Sequence, residues 1–330
     1  MSLLYINENG ATIGIEGNYC TVKQKDESKR LFPIESLDGI TIMGQSQMTT
    51  QCSEECMQRG IPVSYFSKGG KYFGRLISTG HVNVERQRKQ CALYDTDFAV
   101  MLAIKILSAK IKNQSVVLRR YEKSKGINLE EEQKMLSICR NKILTCDKIE
   151  EMIGFEGQAA KYYFRGLSAC IDDNFTFQGR NKRPPVDNVN ALLSFVYTLL
   201  TNMITSALET VGLDPYMGYL HTERPGRASL ALDLIEELRP IFADRFVLSL
   251  INKKIVSAKD FKKKENGAVL LTDDARKRVI TEWQNRKKEV LTHPYLKEKV
   301  EWGLVPYVQA MLLARHLRGD LDGYPPLLWK

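Results

Sequence analysis

Up to about Thr79 the apolar positions follow the pattern of strands. "LLYI", "ATIGI", "YCTVKQ" and "GITIM" are short β-branched or aromatic runs, separated by the turn signals "NENG", "EGN" and "KDESKR". Thr50 to Arg59 departs from that pattern and predicts a short helix, with a Thr cap before it and Gly60 after it. "IPVSYFSKGGKYFGRLI" predicts a hairpin turning on Gly69 and Gly70. From about Val84 the apolar residues recur at three- and four-residue spacing, the period of a helix. "DTDFAVMLAIKILSAKIKNQSVVLRRYEKS" predicts one long helix, and further helical segments follow to the end. The clearest loop is "GRNKRPPVDN" at 179–188, where Pro184 and Pro185 forbid helix and Arg180, Lys182 and Arg183 add positive charge. The fold class is therefore α+β, with a small β-rich domain over 1–83 and a larger all-α domain over 84–330.

A chain of 330 residues is long enough for each of these domains to have its own core. The formal net charge of +9 favours an anionic partner, either nucleic acid or an acidic membrane surface. The N-terminal stretch lacks the basic and apolar regions of a signal peptide. The most apolar window, Ala191 to Leu208, is interrupted by Ser194, Thr198, Thr201, Asn202 and Thr205, and reads as a buried core helix rather than a membrane span. No basic amphipathic helix or lipidation motif stands out, so no membrane partner is expected. The seven cysteines have no metal-ligand spacing, which suits free thiols in a reducing cytosol.

Candidate chemistry centres on "LHTERPGRASLALDLIEELRP" at 220–240. At about 100° per residue, Leu230, Ala231, Leu234, Ile235 and Leu238 sweep one helix face, and Asp233, Glu236 and Glu237 fall on the other. Two readings fit: a solvated acidic face with Arg224, Arg227 and Arg239 as ion-pair partners, or a cation site. His221 lies in the preceding loop, and a neutral imidazole with two carboxylates suits Mn²⁺ or Mg²⁺. His81, His293 and His316 read as structural or surface residues. In "GFEGQAAKYYFRG" a helix is expected to begin near Glu156, where the helix dipole favours an acid. Tyr162, Tyr163 and Arg165 after it form an aromatic and basic group that fits either nucleic acid or the core. Late in the chain, Lys253, Lys254, Lys259, Lys262, Lys263, Lys264, Arg276, Lys277, Arg278, Arg286, Lys287 and Lys288 offer phosphate contacts for sequence-independent DNA binding.

Three ordered blocks, "GFEGQAAKYYF", "GRNKRPPVDNVNALLSFVYTLL" and "GLDPYMGYLHTERPGRASLALDLIEELRP", resemble the universal CRISPR-associated integrase of spacer acquisition, and the resemblance runs over essentially the whole chain. It implies a Mg²⁺ or Mn²⁺ ion held by Glu156, His221 and Glu236, with Asp233 as a further catalytic acid. Some family members carry Asp where this chain has Glu236, one methylene longer. The implied reaction is transesterification, in which the 3′-hydroxyl ends of spacer DNA attack the ends of a CRISPR repeat. Asn190, Tyr197 and Tyr163 are expected to support the site, and Arg224, Arg227, Arg183, Lys262, Lys263 and Lys264 to contact DNA. Implied partners are a second copy of the chain joined through the β-rich domain, and a second, small CRISPR adaptation protein in a 4:2 complex. In some subtypes a RecB-like end-trimming nuclease is added. A prokaryotic cytoplasmic location follows. The rival readings are a stand-alone metal-dependent nuclease acting on branched or repair intermediates, and a non-catalytic DNA-binding scaffold.

Overall fold

The computed structural model describes residues 2–6, 8–24, 28–67, 72–76, 78, 83–171, 174–181 and 184–329. Gly69 and Gly70 of the expected hairpin, His81, and Lys182 and Arg183 of the basic loop lie outside the described residues. The chain divides into two units, Met1–Val82 and Asn83–Lys330.

The first unit is built on two four-stranded sheets. One runs in the order β1 (Ser2–Ile6), β5 (Leu37–Met43), β7 (Val63–Phe66) and β8 (Tyr72–Leu76). The other runs in the order β4 (Lys29–Pro33), β3 (Tyr19–Lys23), β2 (Thr12–Glu16) and β6 (Gln47–Met48). β1, β5 and β7 are parallel, and β2, β3 and β4 are antiparallel neighbours. Inward residues of both sheets, among them Ile13, Val22, Ile40, Ile42 and Val63, form one core with Cys52 and Cys56 of helix α1 (Thr50–Gln58). Burying each such aliphatic side chain contributes about 1.5–3 kcal/mol. Thr49 caps α1 by accepting the Cys52 N–H at 3.3 Å. Of the expected turn "KDESKR", residues 25–27 lie outside the described residues, and Lys29 and Arg30 pair with β3.

The second unit is mainly helical. Its helices are α2 (Val84–Ala92), α3 (Asp97–Lys125), α4 (Glu130–Ile143), α5 (Ile149–Ala169), α6 (Asn188–Thr210), α7 (Ser229–Leu238), α8 (Arg245–Asn252), α9 (Asp273–Lys288) and α10 (Val305–Arg318). Two short antiparallel ribbons, β9 (Phe261–Lys263) with β10 (Val269–Leu271) and β11 (Val290–Thr292) with β12 (Lys299–Glu301), lie between the helices. α6 is long and apolar enough to cross a membrane, but Leu192, Leu193, Val196, Leu200 and Ile204 are buried inside the unit.

α7 is the axis on which the unit is assembled. Its apolar residues are buried, and so are Asp233, Glu236 and Glu237, so the solvated-face reading fails. A π-helical stretch, Arg239–Asp244, joins α7 to α8. Pro240 has no N–H to give to the helix ladder, and the Arg245 N–H donates to the Pro240 carbonyl, five residues back. The widened turn carries Arg239 and Asp244. On the other side of α7, the carboxylate of Glu237 accepts from Gln309 Nε2 at 2.8 Å, Tyr324 Oη at 2.6 Å and the Leu327 N–H at 2.9 Å. His293, buried, hydrogen-bonds Gln309 and extends this network into the core.

Candidate metal centre

Four segments of the helical unit bring the candidate residues together. α5 supplies Glu156, the loop before α7 supplies His221, α7 supplies Asp233 and Glu236, and the π turn supplies Arg239 and Asp244. Glu156 is not in a first helical turn as its glycine neighbours suggest. α5 starts at Ile149 and runs through Gly154 and Gly157, so the dipole explanation for this acid does not apply.

Asp233 does not stand beside Glu236 facing a shared cation. It is fully buried and turns back onto the His221 loop. One oxygen accepts the N–H groups of Tyr219 at 2.7 Å and Leu220 at 3.0 Å. The other accepts the His221 N–H at 3.0 Å and the imidazole Nδ1 at 2.7 Å. A carboxylate accepts only, so Nδ1 carries a proton and the ring is oriented with Nε2 toward Glu236. The close approach of loop and helix depends on Gly218. A Cβ there would lie 2.7 Å from Ser229 Cβ and 2.9 Å from Asp233 Oδ2.

His221 Nε2 faces Glu236 Oε1 at 3.8 Å. Adjacent donors on one octahedral cation, each about 2.1 Å from it, stand about 3 Å apart, so the imidazole and Glu236 have the chemistry for a shared Mg²⁺ or Mn²⁺ and would draw closer to hold it. Burial alone would raise the pKa of Glu236, but Arg239 at 2.7 Å and Lys110 at 2.6 Å outweigh it and hold the carboxyl at about 2. Lys110, on α3, also pairs with Glu156, so its ammonium bridges two expected ligands. Burial pulls the Lys110 pKa down, and the Glu236 and Glu156 carboxylates more than reverse that. Among the described residues no three His, Cys, Asp or Glu side chains close around one point.

Of these residues Lys110, Glu156 and Arg239 line a cleft of about 620 Å³, together with Arg180, Tyr197 and Asp244. Asp244 accepts from Tyr163 Oη at 2.8 Å and from Tyr197 Oη at 2.5 Å. Burial pushes the Asp244 carboxyl up to about 6 against these bonds and the nearby Arg239 and Arg180. Arg239 lies 5.0 Å from the Tyr197 ring centroid. Asn190 is fully buried, accepts from Arg180 Nη1 at 2.7 Å and donates to the Gly179 carbonyl at 2.8 Å, which folds the basic loop inward. Asn190, Tyr197 and Tyr163 are therefore buried scaffold around the cleft. Tyr163 has no face toward nucleic acid, and Arg165 is bound by Glu131 and Glu132.

The expected DNA contacts are dispersed. Arg224 is exposed, while Arg227 is half-buried, its Nη1 3.4 Å from the Thr222 carbonyl. Lys262, Lys263 and Lys264 are exposed on the β9–β10 ribbon. That ribbon is tied to the basic loop by the Val269 N–H, which donates to the Pro185 carbonyl at 2.8 Å. Arg276, Arg286 and Lys287 are buried, so these members of the basic run are turned away from solvent, and the exposed Arg278 pairs with Asp260.

Sequence reasoning passed over Lys110 and Asp244. Lys110 has a readable signal: it falls four residues after Ile106 and three after Leu107, on a stripe that is otherwise apolar. Asp244 had none.

The chain is thus of the class in which a β-rich unit precedes a helical one, with a loop histidine facing a glutamate on a buried helix. The chain matches the family "CRISPR associated protein Cas1" over residues 4–285 and belongs to it. It is 41% identical to CRISPR-associated endonuclease Cas1 1 of Chlorobaculum tepidum, covering 100% of this chain and 99% of that protein. It is 35% identical to a CRISPR-associated exonuclease Cas4/endonuclease Cas1 fusion of Geobacter sulfurreducens, covering 98% of this chain and 59% of the fusion. Among solved structures it superimposes on a casposase bound to integration product with a TM-score of 0.89 at 22% identity, covering 100% of this chain and 95% of that one. A Cas1 protein from Thermotoga maritima gives 0.83 at 23%, covering 98% and 99%. A chain of a Cas6-RT-Cas1–Cas2 complex gives 0.83 at 24%, covering 100% and 36%. At these identities the structural likeness concerns the fold.

Proposed function

We propose that this Cas1-family protein joins 3′-hydroxyl ends of DNA to target phosphodiesters by metal-dependent transesterification, as the integrase of CRISPR spacer acquisition. The observation that carries this reading is the His221–Asp233 pair, which turns the imidazole Nε2 toward Glu236, whose carboxylate Lys110 links to Glu156 in the wall of the cleft. Glu156, His221 and Glu236 would hold Mg²⁺ or Mn²⁺, which when bound polarises the phosphodiester and stabilises charge on the attacked and leaving oxygens. Asp233 fixes the ring tautomer. Arg239 and Arg180 bring positive charge to the cleft for a phosphate. Lys262, Lys263, Lys264, Arg224 and Arg227 hold DNA outside it. The relatives' designation as endonucleases supports phosphodiester chemistry, and the casposase, a protein seen with an integration product, supports joining.

In this reading the unit over 1–83 dimerises and the unit over 84–330 carries the chemistry. A small Cas2-type partner is supported by the Cas1–Cas2 assembly among the structural neighbours, and an end-trimming nuclease by the Cas4 fusion. The protein then works on double-stranded DNA in the prokaryotic cytoplasm.

The test is strand transfer of labelled short duplexes into supercoiled repeat DNA, with Mn²⁺ and then EDTA, for the wild type and His221→Ala. Joining that needs Mn²⁺ and disappears in His221→Ala while DNA binding persists is the expected result. Joining that survives the substitution overturns the site. Metal-dependent nicking without joining, even with the small partner added, leaves a nuclease in which water replaces the 3′-hydroxyl.

A further inference from the structure

We propose that Lys110 is a resident cation that couples metal loading to DNA: its ammonium holds Glu156 and Glu236 together in the free protein and yields them when a DNA phosphate enters the cleft. This rests on the metal-site reading above and adds a residue that the reading does not require.

Lys110 is 6% exposed, on the face of α3 that packs against α7. Its Nζ lies 2.6 Å from Glu236 Oε2 and also pairs with Glu156 Oε1. Arg239 takes the other oxygen of Glu236 at 2.7 Å. The cations Lys110 and Arg239 thus balance the carboxylates Glu156 and Glu236 before any metal arrives. Adding a dication beside Lys110 and Arg239 would set further positive charge against cations already paired with the same two carboxylates, which is costly in a largely buried site. An incoming phosphate supplies the missing negative charge. It also offers the ammonium a new partner, because the same cleft is lined by Lys110 itself, Arg180 and Lys161.

Of the two cations, only lysine is built to move. Arg239 is held beside the Tyr197 ring, whereas Lys110 ends in a compact ammonium on a flexible four-carbon stem. One turn further along the same face of α3, Gln114 lines the cleft, and its buried Oε1 has no hydrogen-bond partner among the described residues. That unfilled acceptor is a second position for the ammonium, at the i, i+4 spacing where helix side chains meet. Binding that is easier for either ligand once the other is present is reciprocal by necessity, so metal would strengthen DNA binding by the same factor.

The experiment is a Mn²⁺ titration followed by electron paramagnetic resonance, without and with a short duplex bearing 3′-hydroxyl ends. The proteins compared are the wild type, Lys110→Met, Lys110→Arg and Glu156→Gln, with folding checked by circular dichroism. In the wild type, DNA is expected to tighten Mn²⁺ binding by about tenfold or more. Lys110→Met should bind Mn²⁺ without DNA about tenfold more tightly than the wild type, and DNA should then add little. Lys110→Arg, which keeps the charge on a stiffer head, should bind no better than the wild type. Equal Mn²⁺ affinity in the wild type and Lys110→Met, with Glu156→Gln impaired, overturns the role of Lys110 and leaves the metal site standing. Binding indifferent to Glu156→Gln overturns the metal site itself, and the inference with it. If Lys110→Met does not fold, a wild type that binds Mn²⁺ equally well with and without DNA sinks the coupling.

Discussion

Both oxygens of Asp233 are filled by N–H donors from Tyr219, Leu220 and His221, so in the proposed reaction this acid would act only through the imidazole. Asn in its place keeps the shape but must turn an amide N–H toward one of those donors, leaving buried groups unpaired. Asp233→Asn should therefore lower the melting temperature by about 5–10 °C. By loosening the ring it should also weaken Mn²⁺ binding about 10–100-fold. Both are read by thermal melts in EDTA and by Mn²⁺ titration. Unchanged Mn²⁺ affinity would mean that His221 is oriented by something else. Spacing alone assigned Asp233 and Glu236 to one face and made them look equivalent. Their difference arises because the loop at Gly218 folds back against Ser229, a tertiary contact that no helical period encodes.

The β9–β10 ribbon makes a similar point for elements. Its strands, three residues each, are too short to give a period, and "KKKENG" has the composition of a loop. The structure makes it a ribbon whose turn closes through the Lys264 N–H donating to the Ala268 carbonyl at 2.8 Å. Replacing Lys262, Lys263 and Lys264 together by Ala should reduce the slope of log affinity for duplex DNA against log salt by about 2–3. Fluorescence anisotropy over a salt series measures it, and an unchanged slope would place the ribbon away from DNA. The long helices were legible because their apolar stripes are unbroken, as in α3 and α6. The start of α5 was not, since Gly154 and Gly157 look like a helix boundary while the packing of Met152, Ala159 and Tyr163 carries the helix through them. The π turn and the Lys110 bridge are products of three-dimensional assembly, visible in the sequence only as a proline and as a lysine on an apolar stripe.

Buried acids on both sides of α7 give the whole molecule a pH signature. Burial raises Glu237 to about 7 and Asp244 to about 6, above their ordinary 4.5 and 3.8. Their protonated forms suit the fold, so the stability they contribute is full below about pH 4 and is lost as the pH rises through 6 and 7. Glu236 works in the opposite sense, held at about 2, so its contribution is lost only as the pH falls below the ordinary carboxyl range. Between pH 5 and pH 8 the net effect should be a falling melting temperature, with Glu237 contributing on the order of 3 kcal/mol. Glu237→Gln should flatten that fall, and an identical slope in the variant would refute the assignment. The same carboxylate receives Tyr324 Oη and the Leu327 N–H, while Trp329 lies between Arg120 and Arg245. During synthesis these partners leave the ribosome after every residue proposed to bind metal. In a nascent chain Glu237 therefore stays without Tyr324 and Leu327 until those residues have been made, so α7 takes its final packing only after residues 324–327 are available.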